Sequence, residues 1–107
     1  MKKLKIAFDI DGTLRCNCTE TCQDANAPMI ALANILGKWF KNVELHAWSG
    51  GGKDYTWQFV RSHGLAHIIA ESHCWSKADY ATPHMDIAID DQQEFNLGDS
   101  NLIVRMK

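Results

Sequence analysis

Short apolar runs ending in acidic or small polar residues alternate along this chain with longer segments of helical spacing. Lys5-Ile6-Ala7-Phe8 is continuously apolar after its first residue and stops at Asp9, with turn residues Asp11-Gly12-Thr13 beyond. That pattern predicts a short strand buried on both faces. Residues 12–26 are polar and read as a loop. Asn26 then stands as a helix N-cap with Pro28 in the first turn, where the missing N–H is tolerated. Met29, Leu32, Ala33, Leu36 and Phe40 follow at helical spacing and predict one packed face. A second strand is expected over Val43–Trp48, followed by the turn Ser49-Gly50-Gly51-Gly52. Asp54 is positioned to cap a second helix running to His63, with Gly64 as its stop. A third strand is expected at His67-Ile68-Ile69-Ala70. Residues 72–84 are mixed, with one helical turn near Lys77–Tyr80. A fourth strand at Met85–Ile89 ends at Asp90-Asp91, and a fifth covers Leu102–Arg105.

Strands alternating with helices predict an α/β domain. Its expected form is a three-layer, Rossmann-like parallel sheet of about five strands with helices on both faces. In such sheets ligands bind at the carboxyl ends of the strands.

Length agrees with this, since 107 residues make one domain, 1–107, on the usual size scale. Composition is ordinary for a globular chain, at 46 % hydrophobic and 22 % charged. A formal charge of −2 disfavours broad binding to phosphate backbones and leaves nucleic acid only as a substrate. No apolar run approaches the roughly 20 residues that span a bilayer, and the basic start leads into a stretch broken by Asp9 and Asp11. A cytoplasmic protein with no membrane association is therefore expected.

Cysteine usage adds one open question. Cys16, Cys18 and Cys22 cluster, and Cys74 lies far along the chain. Three thiolates, with Cys74, His73 or His46 as a fourth ligand, form a conceivable zinc set. The C-x-C-x3-C spacing departs from the usual C-x2–4-C pairs, so three reduced cysteines in a loop are the favoured reading.

Candidate chemistry gathers at the strand ends. Asp9 and Asp11 follow the first strand, Ser49 the second, and Asp90 and Asp91 the fourth. Carboxylates brought to one edge repel, and a hard divalent cation such as Mg²⁺ resolves the repulsion. Ser49 and the Gly50–Gly52 backbone offer donors for phosphate oxygens, and Lys77 offers a compact positive charge. These parts suit phosphoryl transfer through a carboxylate nucleophile, with a second carboxylate as general acid and base.

Asp9-Ile10-Asp11-Gly12-Thr13-Leu14 resembles the first motif of the haloacid dehalogenase (HAD) superfamily of phosphatases. Ser49 is placed like that family's second-motif Ser/Thr, Lys77 like its third-motif lysine, and Ile87-Ala88-Ile89-Asp90-Asp91 like its acidic fourth motif. The resemblance implies Asp9 as nucleophile and Mg²⁺ ligand. Asp11 would be general acid/base, adding its backbone carbonyl to the metal. Ser49, Gly50 and Lys77 would hold the phosphoryl group, with Asp91 as a further metal ligand and Asp90 supporting it. The segments Leu14–Asn26 and Gly64–Lys77 are short for the family's cap insertions, which implies a minimal, capless form.

The expected function is a Mg²⁺-dependent phosphomonoesterase acting on a small molecule or a macromolecular phosphate end. The alternative is a catalytically weak module that binds a phosphorylated ligand or partner. His84 or Lys53 could take the place of Lys77. Trp48 and Trp75 flank Ser49 and Lys77, and either could line the substrate entrance or an interface between subunits; the oligomeric state stays open.

Overall fold

The computed structural model describes residues 2–16, 25–78, 82–92 and 97–105. Five parallel strands form one sheet: β1 (Leu4–Asp9), β2 (Val43–Ser49), β3 (Cys74–Ser76), β4 (Met85–Asp90) and β5 (Gly98–Ile103). Their spatial order is β3-β2-β1-β4-β5. Helix α1 (Ala27–Trp39) connects β1 to β2, and α2 (Lys53–Ser62) follows β2. The chain is thus an α/β domain whose strand order is compatible with a Rossmann-like sheet. Strands β2 and β3 are laid down on one side of β1 and β4 and β5 on the other. The direction of winding therefore reverses beside β1, the point at which sheets of this kind bind ligands, off the ends of β1 and β4. Register sets what meets there, with Asp9 beside Trp48 and Phe8 beside Ile89.

Both helices pack on one face of the sheet. Ile6, Phe8, Leu45 and Ala47 are buried there with Ala33 of α1 and Phe59 and Val60 of α2. Fully burying each large side chain of this kind stabilises by about 1.5–3 kcal/mol. The opposite face carries Ala7, Trp48, Met85 and Ala88, with Trp75 and Leu97 against them. The expectation of helices on both faces is met on one face among the described residues. No described helix is long and apolar enough to cross a membrane.

Four local expectations change. The apolar run His67–Ala70 is a turn and not a strand. Leu65 and Ile69, one helical turn apart, are both fully buried, and the Ile69 N–H bonds to the Leu65 carbonyl at 2.9 Å. The run therefore plugs the helix-side core, and Cys74-Trp75-Ser76 pairs with Ala47-Trp48-Ser49 in its place. In α1 the inward stripe is rotated: Ala33 is buried, while Leu32 and Phe40 are exposed. Gly37 explains this, because a Cβ there would lie 2.6 Å from the Ile68 side chain, so Ile68 seats against bare helix backbone. Helix α2 begins at Lys53, with Gly52 at the capping position and Asp54 in the first turn, where its charge complements the helix dipole. Strand β5 starts at Gly98, four residues before the expected Leu102, and leaves Leu102 and Ile103 exposed.

Asn26 does precede α1, but its side chain makes no cap hydrogen bond. Its amide instead donates to the Thr13 carbonyl at 3.0 Å. The residue thereby ties the start of α1 to the loop that leaves β1. Gly64 ends α2 as expected, in the left-handed region at φ +70°.

Candidate active site

The first half of the site is built by the turn leaving β1. After Asp9 the chain reverses tightly: the Leu14 N–H bonds back to the Asp9 carbonyl at 3.3 Å and the Arg15 N–H to the Ile10 carbonyl at 2.9 Å. Ile10 and Leu14 are fully buried and anchor this turn in the core. Gly12 is needed on two counts. Its φ is +86°, and a Cβ there would collide with the Asp91 carboxylate. The turn after β1 and the residue after β4 are thus in direct contact. Thr13 donates its hydroxyl to the other side of Asp9, Oγ1 to Oδ2 at 3.3 Å.

Lys77 closes the site from the third side. Its backbone N–H bonds to the Ser49 carbonyl at 3.1 Å, which fixes the chain just beyond β3 against the end of β2. From there its ammonium reaches Asp9 Oδ1 at 2.8 Å and Asp90 Oδ2 at 2.6 Å. Asp90 is fixed further by the Gln92 N–H, which donates to its Oδ1 at 3.0 Å. The Gln92 amide also donates to Asp91 Oδ2 at 3.3 Å. One cation accordingly serves two buried carboxylates, with a third beside them.

This imbalance is visible in the proton affinities. Burial pushes the Asp9 carboxyl up to about 7; Lys77 pulls it down, and the charge of Asp90 adds to the rise. Asp91 is raised as well, by burial first and then by Asp90. Burial acts to lower the Lys77 ammonium, but its bonds to Asp9 and Asp90 more than offset that and raise it. Oxygen atoms of Asp9, Asp90 and Asp91 all lie within 4.8 Å of one another. Three hard oxygen donors with a surplus negative charge fit a small divalent cation such as Mg²⁺.

Asp11 stands apart from that trio. Its carboxylate turns toward α2 and accepts the Tyr55 hydroxyl at 2.6 Å. Ser49 is buried, and its hydroxyl accepts the Gly51 N–H at 3.0 Å, which shapes the glycine turn. Gly50 is exposed at that turn with open space around it. The structure thus brings together Asp9, Lys77, Asp90 and Asp91, with Asp11 and Ser49 on the flanks.

The alternatives to Lys77 point elsewhere. His84 faces Asp99 at 2.9 Å on the surface, and the Lys53 ammonium lies 5.8 Å from the centroid of the Trp75 ring. Trp48 is buried against Ala7 and Ala88 as core, whereas Trp75 is half-buried and donates its indole N–H to His46 Nδ1 at 3.0 Å. Cys74 belongs to the helix-side core; burial raises its thiol to about 11, and the thiol donates to the Ala70 carbonyl at 3.6 Å. Cys16 lies beside the Ala25 carbonyl, and Cys18 and Cys22 lie outside the described residues.

A second group, Glu44, His46 and His73, also has ligand-capable atoms within 4.8 Å of one another. His46 Nδ1 accepts from Trp75, so in the neutral ring the proton sits on Nε2 and goes to Glu44 Oε2 at 2.7 Å. That tautomer leaves His46 without a lone pair facing the group. Glu44, His46 and Trp75 thus form one hydrogen-bonded network, with the His73 ring stacked on His46 at 4.2 Å.

Tyr55, Arg15 and Thr13 are the site residues that sequence reasoning did not single out for a role. Thr13 lay within the Asp9–Leu14 motif. Tyr55 and Arg15 carry no local signal, because their connection exists only once α2 packs beside the β1 turn. Arg15 Nη1 donates to the Tyr55 hydroxyl at 2.9 Å. Both residues also line a cavity of about 210 Å³ with Gln58, Phe59, Ser62 and His63.

No known protein family, no curated protein and no solved structure matches the chain.

Proposed function

We propose that this protein is a magnesium-dependent phosphomonoesterase of the capless HAD type, working through an aspartyl-phosphate. The observation that carries the reading is Lys77 set between Asp9 and Asp90, with Asp91 alongside, at the carboxyl ends of β1 and β4. An isolated turn aspartate would have no reason to be buried with two other carboxylates. The Asp9–Leu14 motif, whose sequence resembles the first HAD motif, lies at that same edge.

In this reading one Asp9 oxygen attacks phosphorus, and the bond from phosphorus to the leaving oxygen breaks. Its electron pair stays on the leaving oxygen, which takes a proton from Asp11. Water then attacks the phosphoenzyme, Asp11 recovers a proton from it, and phosphate and the Asp9 carboxylate are released. Asp9 and Asp91 would hold Mg²⁺, with Asp90 supporting and the Asp11 carbonyl adding a ligand. The ion supplies neutralisation of the phosphoryl oxygens. Lys77, Ser49 and the Gly50 backbone hold the phosphoryl group from the other side. The substrate is a phosphomonoester, on either a small molecule or the phosphate end of a larger one.

Turnover of p-nitrophenyl phosphate with Mg²⁺ tests the reading. Activity that chelator removes and Asp9→Asn abolishes is expected, because an amide cannot form the phosphoenzyme. Turnover that survives Asp9→Asn rules out the mechanism.

A further inference from the structure

Asp11 lies on the surface side of the site, where an unsupported carboxylate would sample several rotamers. A general acid must instead sit within about 2.6–3.2 Å of the oxygen it protonates. Tyr55 removes that freedom: its hydroxyl lies 2.6 Å from Asp11 Oδ1.

The direction of each bond follows from the chemistry. Arg15 can only donate, and its Nη1 lies 2.9 Å from the Tyr55 oxygen. The single hydroxyl proton of Tyr55 is therefore free to go to Asp11. Oδ1 of Asp11 is engaged as an acceptor, and Oδ2 is left to carry the proton that is transferred. The turn after β2 makes room for this, since a Cβ at Gly51 would lie 3.0 Å from the Tyr55 ring.

We propose that Tyr55, held in turn by Arg15, is a positioning residue that fixes the Asp11 carboxylate, on the flank of the site, for proton donation to the leaving-group oxygen. This rests on the phosphatase reading above. The Tyr55 hydrogen bond goes to the Asp11 carboxylate, not to Asp9, Asp91 or the Asp11 carbonyl. Its effect is confined to the steps in which Asp11 handles a proton.

The test exploits leaving-group chemistry. A p-nitrophenolate departs without needing a proton, whereas the alkoxide of β-glycerophosphate needs one. kcat/KM reports only steps up to phosphoenzyme formation, so it isolates the proton donation. Tyr55→Phe should lower kcat/KM for β-glycerophosphate by up to about tenfold, the upper end for one lost hydrogen bond between neutral groups. The loss on p-nitrophenyl phosphate should stay under about twofold by the same reasoning, and inhibition by inorganic phosphate should be unchanged. Arg15→Met, which keeps the phenol but frees it, should show the same asymmetry to a smaller degree and serves if Tyr55→Phe does not fold. Equal losses on both substrates, or none, overturn the proposal while leaving the phosphatase reading in place. A wild-type chain that hydrolyses neither substrate overturns both.

Discussion

The ammonium of Lys77 lies 2.8 Å from the carboxylate of Asp9, and both side chains are largely withdrawn from water. In the proposed mechanism Asp9 must stay ionised to act as the nucleophile, yet burial pushes it toward the neutral acid. Lys77 opposes this, with its ammonium beside the carboxylate. Its second bond, to Asp90, holds the ammonium between two strands' ends and keeps it from turning outward.

Lys77→Met should therefore destabilise the fold as well as remove activity. Breaking one partner from a buried ion pair costs about 3–5 kcal/mol, and the slight exposure of Lys77 places the expected loss near the lower end. The loss should shrink in mildly acid buffer, where Asp9 takes up a proton and no longer needs the cation. Urea unfolding of both chains at neutral and acid pH measures this. A pH-independent difference would show that Lys77 acts through packing.

Asn26 separates two roles that look alike in the sequence. As an N-cap it would act through its side-chain oxygen, and Asp would serve equally well. In the structure its amide nitrogen donates to the Thr13 carbonyl. Asn26→Asp should then destabilise about as much as Asn26→Ala, by roughly 1–2 kcal/mol for a buried carbonyl left unpaired. An Asp variant as stable as wild type would restore the capping role.

Much of this arrangement was legible in the sequence because it depends on local rules. β1 carries a continuous apolar run, β2 and β4 are mostly apolar with Glu44, His46 and Asp86 interspersed, and each ends in a polar residue, which is enough to signal a strand. The four acids and Ser49 follow those strands directly, so placing the strands placed the residues. The failures came where tertiary packing decided the outcome. His67–Ala70 has the composition of a strand, but Leu65 and Ile69 are spaced to fill the core from a turn. The stripe on α1 was displaced because Gly37, with no side chain to count, marks the closest contact. Tyr55 was missed for a related reason: a tyrosine early in an amphipathic helix gives no sign that it faces the turn after β1.

Gly12 offers a test of the contact between the β1 turn and Asp91. Gly12→Ala combines a left-handed backbone with a methyl group placed on the Asp91 carboxylate. A strained backbone position of this kind costs about 1–3 kcal/mol, and Asp91 must also move. Stability should fall by that order, and Mg²⁺ should bind more weakly than the stability loss alone explains. Calorimetric titration of Mg²⁺ into both chains checks it. Unaltered Mg²⁺ affinity would remove Asp91 from the ligand set.

The raised Asp9 carboxyl makes stability depend on pH, and the sign can be worked out. Its ordinary value is 3.8 and its value in the folded chain is about 7. Between these the folded chain holds a proton that the unfolded chain has released. This contribution is fully present below 3.8 and is lost as pH rises through about 7. In chelator, the melting temperature should fall from acid toward neutral pH, and the Asp9→Asn chain, which has no proton to lose, should show a smaller fall. Mg²⁺ competes with that same proton. Millimolar Mg²⁺ should therefore raise the melting temperature more at about pH 8 than at about pH 5, by mass action on the folded state. The gain should vanish in Asp9→Asn if Asp9 is a principal ligand. A Mg²⁺ effect equal at both pH values, or undiminished in that variant, would place the ion away from Asp9.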